Sequence, residues 1–333
     1  MHPFKLERPR DLAAALAMQA QAGRTDATAE YIAGGTDMVQ LLQENVRRPD
    51  RLVSLAGLLD RRIDVTAEGL RLGAAATMAE AAAHPAVVSQ FPVIAEALLN
   101  SASPQVRNQA TMGGNLLQRT RCPYFRDTGY ADCNKRTPGS GCAAIGGENR
   151  WHAVLGGSEH CIAAHASDLA VALVALDALV HIRSARGERT VPLAVLHRLP
   201  GSTPNIETEL SPGEVIAAIT VPANPVARRS HYLKVRDRAS FEFALVSAAV
   251  ALEIREDGHI AQARVAAGGV GTRPWRLPDV EAALAGSALD RESLNKAASI
   301  AARGAQGRGH NDFKIELLQR VIVRAAEAAG ARA

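Results

Sequence analysis

The chain holds four cysteines in 333 residues, Cys122, Cys133, Cys142 and Cys161, spaced C-x10-C-x8-C-x18-C. Thiols gathered this way can be two disulfides, the ligands of one zinc ion, the ligands of an iron–sulfur cluster, or inert core groups. Disulfides suit an oxidising compartment, but the N-terminal residues MHPFKLERPRDL contain no apolar signal segment. A four-cysteine zinc site usually pairs its ligands in C-x2-C knuckles, and none occurs here. Iron–sulfur clusters also take four cysteines, with spacing that follows the fold. The intervening sequence, rich in Gly, Arg, Asn and Asp, argues against simple core thiols. It cannot bury enough apolar surface to offset its own ordering entropy, so it needs a staple.

Two glycine-rich stretches offer a second chemistry. Ala33, Gly34, Gly35, Thr36 and Asp37 follow a strand-like run, and Ala110-Thr111-Met112-Gly113-Gly114-Asn115 lies just before the cysteines. Adjacent glycines let backbone N–H groups approach an anion unhindered, and a threonine hydroxyl can add a bond. A helix starting there would add its positive end. Two such loops suit two sides of a pyrophosphate, although a Gly-Gly turn after a strand is otherwise simply a turn. Neither G-x-G-x-x-G nor G-x-x-x-x-G-K-[ST] is present. Asp168, in SDLAVAL, could accept from a ribose hydroxyl or serve as a helix N-cap.

These residues need elements to position them. The pattern predicts a helix over 11–22 capped by Asp11 and ended at Gly23, and strands over 31–33, 51–55 and 69–75. Helices are expected over 78–83 and 91–101. Residues 118–162 read as a long irregular insertion, which in a compact domain is usually functional. Periodicity resumes with a helix over 168–176 and strands over 178–183, 189–192 and 215–221. A boundary over 223–229 precedes strands over 231–236, 244–254 and 261–270, the last two joined by a turn at Asp257-Gly258. Helices over 280–285, 291–303 and 313–328 close the chain. The expected class is α+β, divided as 1–57, 58–224 with the insertion, and 228–330.

The net charge of +4 is mild, and the basic pairs Arg47–Arg48, Arg61–Arg62 and Arg228–Arg229 are dispersed, so no nucleic-acid stripe is expected. No apolar run approaches the roughly 20 residues of a membrane span. The longest, 169–180, is interrupted by Asp177. The expected location is cytoplasmic, or periplasmic by export with a signal-bearing partner.

The segments YIAGGTDM, VRNQATMGGNL, SDLAVALVAL, AAGGVGTRPWR and NDFKIELLQRVIVRAA resemble the FAD-binding subunits of the molybdenum hydroxylases, the xanthine dehydrogenase and carbon monoxide dehydrogenase flavoprotein family. The cysteine segment resembles a narrower group, the flavoprotein subunits of periplasmic-type aldehyde oxidoreductases, which carry a [4Fe-4S] cluster beside FAD. The resemblance implies a FAD-linked-oxidase (PCMH-type) fold of two α+β subdomains, followed by a C-terminal α+β domain. It implies a molybdopterin-binding large subunit, a small [2Fe-2S] subunit and an external electron acceptor as partners. Electrons from aldehyde oxidation would pass through the [2Fe-2S] centres to FAD and on to that acceptor. No catalytic side chain is implied, the redox work being the flavin's.

By position, the resemblance places Ala33, Gly34, Gly35, Thr36 and Asp37 on the pyrophosphate, with Thr111, Gly114 and Asn115 on its second side. It places Asp168 at the ribose or adenine end, and Ile216 and Lys234 near the flavin. Cys122, Cys133, Cys142 and Cys161 would hold the cluster. A lysine near the flavin would favour its anionic reduced form, unless Lys234 is a solvated strand residue. Arg107 would serve phosphate or a subunit contact, and His152, His160 and His165 would stand behind the cysteines or at the surface. The alternatives are a 4-hydroxybenzoyl-CoA reductase-like or xanthine dehydrogenase-like flavoprotein and, in a different class, a scaffold with a structural four-cysteine zinc site.

Overall fold

In a computed structural model, which describes residues 1–22 and 28–332, three β-sheets surround one cavity. Strands Lys5–Glu7, Arg51–Ser54 and Ala29–Ile32 form a small parallel sheet, with Arg51–Ser54 in the middle. Helix Leu12–Ala22 packs on it, opened by an Asp11 carboxylate that accepts from the Ala14 N–H at 2.7 Å. The helix end expected at Gly23 lies outside the described residues.

The second sheet is antiparallel, ordered Ile63–Thr66, Gly69–Gly73, Val215–Pro222, Leu179–Ser184 and Gly187–Pro192. Its apolar face meets a layer of short helices, including Pro92–Leu99 and the wholly buried Asp168–Ala175. The third sheet runs Trp275–Arg276, Ile260–Gly268, Val246–Ile254 and Ser230–Val235. Strand Val246–Ile254 shows how period-2 alternation joins two layers. Val246, Ala248, Val250 and Leu252 pack toward the closing helices, while Ala249 and Ala251 face the flanking core. Those alanines let the Asp168–Ala175 helix approach closely, and Gly268 does the same, since a Cβ there would lie 2.6 Å from Val171 Cγ2.

Several expectations are corrected. Strands Lys5–Glu7 and Ile63–Thr66 are added, and so are helices Pro85–Gln90 and Pro104–Gln109, each with proline at its first turn. The second glycine stretch is a short helix, Met112–Leu116, not a loop. Helix Arg291–Ala298 gives way to a 3-10 turn over Ser299–Ala302. The insertion is irregular as expected, apart from single helical turns at Pro123–Arg126 and Ala143–Gly146. No helix among the described residues is long and apolar enough to cross a membrane.

Candidate cofactor site

A cavity of about 920 Å³ is lined by residues from all three sheets. That lies at the upper end of the roughly 300–1,000 Å³ usual for ligand pockets, as an extended dinucleotide requires. Ala33, Gly34, Gly35, Thr36, Asp37, Thr111, Gly114, Asn115, Asp168, Ile216 and Lys234 all stand on its wall. The two glycine stretches touch. A Cβ on Gly34 would sit 1.9 Å from the Gln109 carbonyl oxygen, so only glycine allows this approach. Gly35 takes a φ of 72°. The Thr111 hydroxyl accepts from the Gly114 N–H at 3.2 Å and keeps its own proton to donate. Asn115 is buried and accepts from the Ser167 hydroxyl at 2.6 Å.

Asp168 is the first residue of its helix, and Ser167 is the N-cap, its side chain accepting from the Ala170 N–H. The Asp168 carboxylate instead collects three donors: Tyr232 OH at 2.6 Å, Lys234 Nζ at 2.8 Å and Ser101 Oγ at 2.9 Å. Burial and the neighbouring carboxylate push the Tyr232 phenol well above its ordinary range, so it stays a donor. Lys234 is no solvated strand residue, because its side chain is 1% exposed and Nζ also donates to the Asn100 carbonyl. Two of its three N–H donors are thereby used. Arg107 is absent from the cavity wall and donates to the Ser101 and Leu99 carbonyls at 2.8 and 3.2 Å.

Asp37 lines the cavity, yet its carboxylate bonds lead elsewhere. It accepts from the Arg119 N–H at 2.8 Å and pairs with Arg126 at 2.7 Å and Arg121 at 2.9 Å. Sequence reasoning did not single out Arg121, Arg126, Ser101 or Tyr232. The available signal was an arginine immediately before Cys122 and another four residues after it.

No cysteine is in a disulfide. Cys133 and Cys142 face each other across a two-residue antiparallel bridge. The thiols are close enough to act on one another, Cys122 on Cys133 and Cys161, and Cys161 on Cys133 and Cys142. Burial pushes the Cys122 thiol up to about 12 and the Cys161 thiol up to about 11. A cationic metal group would reverse this by stabilising the thiolates. Leu41, Phe125 and Cys133 pack into one small apolar cluster, with Cys122 and Val46 against it. Among the described residues, no three His, Cys, Asp or Glu side chains gather as one metal ion requires. His152 is buried with Nε2 3.1 Å from Cys122 Sγ, and His165 stacks edge-on against His197. His160 is exposed.

The fold and this cavity are those of a flavoprotein subunit. Residues 2–224 match the FAD binding domain in molybdopterin dehydrogenase, and residues 231–329 match the CO dehydrogenase flavoprotein C-terminal domain. The chain is 45% identical to the aldehyde oxidoreductase FAD-binding subunit PaoB of Escherichia coli K12, over the whole of both chains. It is 26% identical to the nicotine 6-hydroxylase medium subunit of Paenarthrobacter nicotinovorans, covering 92% of each. Among solved structures, a carbon monoxide dehydrogenase chain from Hydrogenophaga pseudoflava superposes with a TM-score of 0.75 at 25% identity, over 100% of this chain and 99% of that one. The chain therefore belongs to the FAD-binding subunits of the molybdenum hydroxylase family, and it is a subunit of an oxidoreductase complex.

Proposed function

We propose that this chain is the FAD- and [4Fe-4S]-containing electron-transfer subunit of a heterotrimeric molybdenum aldehyde oxidoreductase. Its partners are a molybdopterin-binding large subunit and a [2Fe-2S] small subunit, and an external acceptor takes the electrons. The observation that carries this reading is a dinucleotide-sized cavity lined in part by Arg119 and Arg121, next to a segment that carries four cysteines free of disulfides. The 45% identity to an aldehyde oxidoreductase FAD-binding subunit supports the substrate class.

FAD supplies the redox chemistry when bound; the chain's own residues bind and orient. Ala33, Gly34, Gly35 and Thr36 offer backbone and hydroxyl donors to the pyrophosphate from one side. Thr111, Gly114 and Asn115 do so from the other. Ile216 gives an apolar wall beside the flavin. Lys234, fixed by Asp168 and the Asn100 carbonyl, brings a positive charge to the cavity. Asp168 keeps unshared lone pairs for a ribose hydroxyl. Cys122, Cys133, Cys142 and Cys161 would hold the cluster.

The test is the absorption spectrum and metal content of the anaerobically purified complex. The proposal expects flavin bands, a broad iron–sulfur shoulder and about four irons per chain beyond those of the small subunit. Stoichiometric zinc and no shoulder would leave the cysteine segment a structural zinc site and sink the cluster assignment. An aldehyde panel then tests the substrate class, since oxidation of purines alone would refute it.

A further inference from the structure

Asp37 sits at the end of the glycine loop, but every hydrogen bond of its carboxylate goes to residues 119–126. Arg126 extends the tie by donating Nε to the Thr120 carbonyl at 2.9 Å, and the Thr120 hydroxyl accepts from the Cys122 N–H at 3.2 Å. Directly after Asp37, helix Met38–Gln43 packs Leu41 into the small apolar cluster that includes Cys133. One short stretch thus carries the glycine loop at one end and, at the other, a side chain packed against Cys133 and Cys122. The Arg121 guanidinium closes the circuit: it pairs with Asp37, lines the flavin cavity and lies 4.9 Å over the Phe243 ring.

We propose that Asp37 is a positioning residue that couples the two cofactors, holding residues 119–126 against the glycine loop so that FAD binding and metal loading of the cysteines strengthen each other. The inference rests on the cluster reading above. Charge supports it. A bare carboxylate on this loop would repel a pyrophosphate, whereas one paired with two arginines leaves the group net cationic. The sign of the effect therefore separates the roles. If Asp37 acted only by facing the phosphates, Asp37→Asn would hold FAD as well or better. As a latch, its loss frees two largely buried arginines and loosens both sites.

The experiment measures FAD affinity of the deflavinated complex, with iron in place and after anaerobic chelation. Coupling between sites is reciprocal and typically 5–150-fold. In the wild type, chelation should weaken FAD binding about tenfold, and FAD should tighten metal retention by the same factor. Asp37→Asn should weaken FAD about tenfold with iron bound and bring the coupling factor close to one. Thr36→Ala, on the same loop, should weaken FAD while keeping the wild-type coupling. Equal or tighter FAD binding in Asp37→Asn, or a coupling factor lost equally in Thr36→Ala, would overturn the proposal. So would a wild-type factor of one in protein that contains iron, a measurement that needs no variant to fold. Wild-type protein without iron would instead remove the cluster reading beneath it.

Discussion

The C-terminal sheet and the cysteine segment both reach the flavin cavity, through Lys234 on one side and Arg119 and Arg121 on the other. The sheet is held by an apolar core in which Val250, Val265, Leu318 and Ile322 are almost completely buried. The first half of the cysteine segment has only Phe125 and Cys133, packed with Leu41, as its buried cluster and relies on polar ties, whereas Val154 and Leu155 further along join the core of the C-terminal sheet. Arg136 donates to the Tyr124 and Phe125 carbonyls, Lys135 pairs with Glu207 at 2.7 Å, and Asn149 Nδ2 donates to the Arg308 carbonyl at 2.8 Å. Apolar burial scales with area and is insensitive to detail, whereas polar ties give little net stability unless each partner is placed. The sheet therefore has a continuous apolar core of its own, while the first half of the segment leans on individually placed polar partners.

The largest break in this comparison is Cys133→Ser. It should abolish the cluster iron and expose residues 118–162 to proteolysis, while the C-terminal sheet keeps its hydrogen-exchange protection. Iron at wild-type stoichiometry in the purified variant would refute the ligand assignment. Lys234→Met comes next. It leaves the Asp168 carboxylate buried with two neutral donors and should cost about 4 kcal/mol by denaturant unfolding, with FAD retention reduced. Leu318→Ala removes a side chain with no exposure and should cost about 3 kcal/mol, leaving iron content unchanged in the folded protein. Iron lost in proportion to that destabilisation would show that the two regions do not fold independently.

The same contrast decided what could be read from the sequence. The helix Phe313–Gly330 and strands Val246–Ile254 and Ile260–Gly268 bury apolar faces at a regular period, and their patterns marked them. Pro104–Gln109 has no buried residue to signal it, and Lys5–Glu7 is a three-residue edge strand, so both were missed. Within the site, residue types pointed to the glycine stretches and the cysteines. The partnerships did not follow, because each joins distant positions: Asp37 with Arg126, Asp168 with Tyr232 and Ser101. Local propensity carries no information about which buried carboxylate meets which donor.

The smallest predicted effect concerns a group that stitches the two regions together. Lys314, on the first turn of the closing helix, has no exposed surface. It donates Nζ to the His152 carbonyl of the cysteine segment at 3.1 Å and to the Gly269 carbonyl of the C-terminal sheet at 2.9 Å. Burial, with a smaller push from Arg150, holds its pKa down to about 7 against an ordinary 10.5. Between those values the unfolded chain binds a proton that the folded chain has released, so stability rises with pH across that window. Below about 7 both states are protonated, and the burial penalty is present in full. The slope is about 1.4 kcal/mol per pH unit for one such proton. Denaturant unfolding between about pH 7 and 8, below the range where the unfolded thiols titrate, should therefore show a slope in the wild type that Lys314→Met makes less positive. If the substitution leaves the slope unchanged, the ammonium is not what titrates, and the stitch between the two regions is its hydrogen bonds alone.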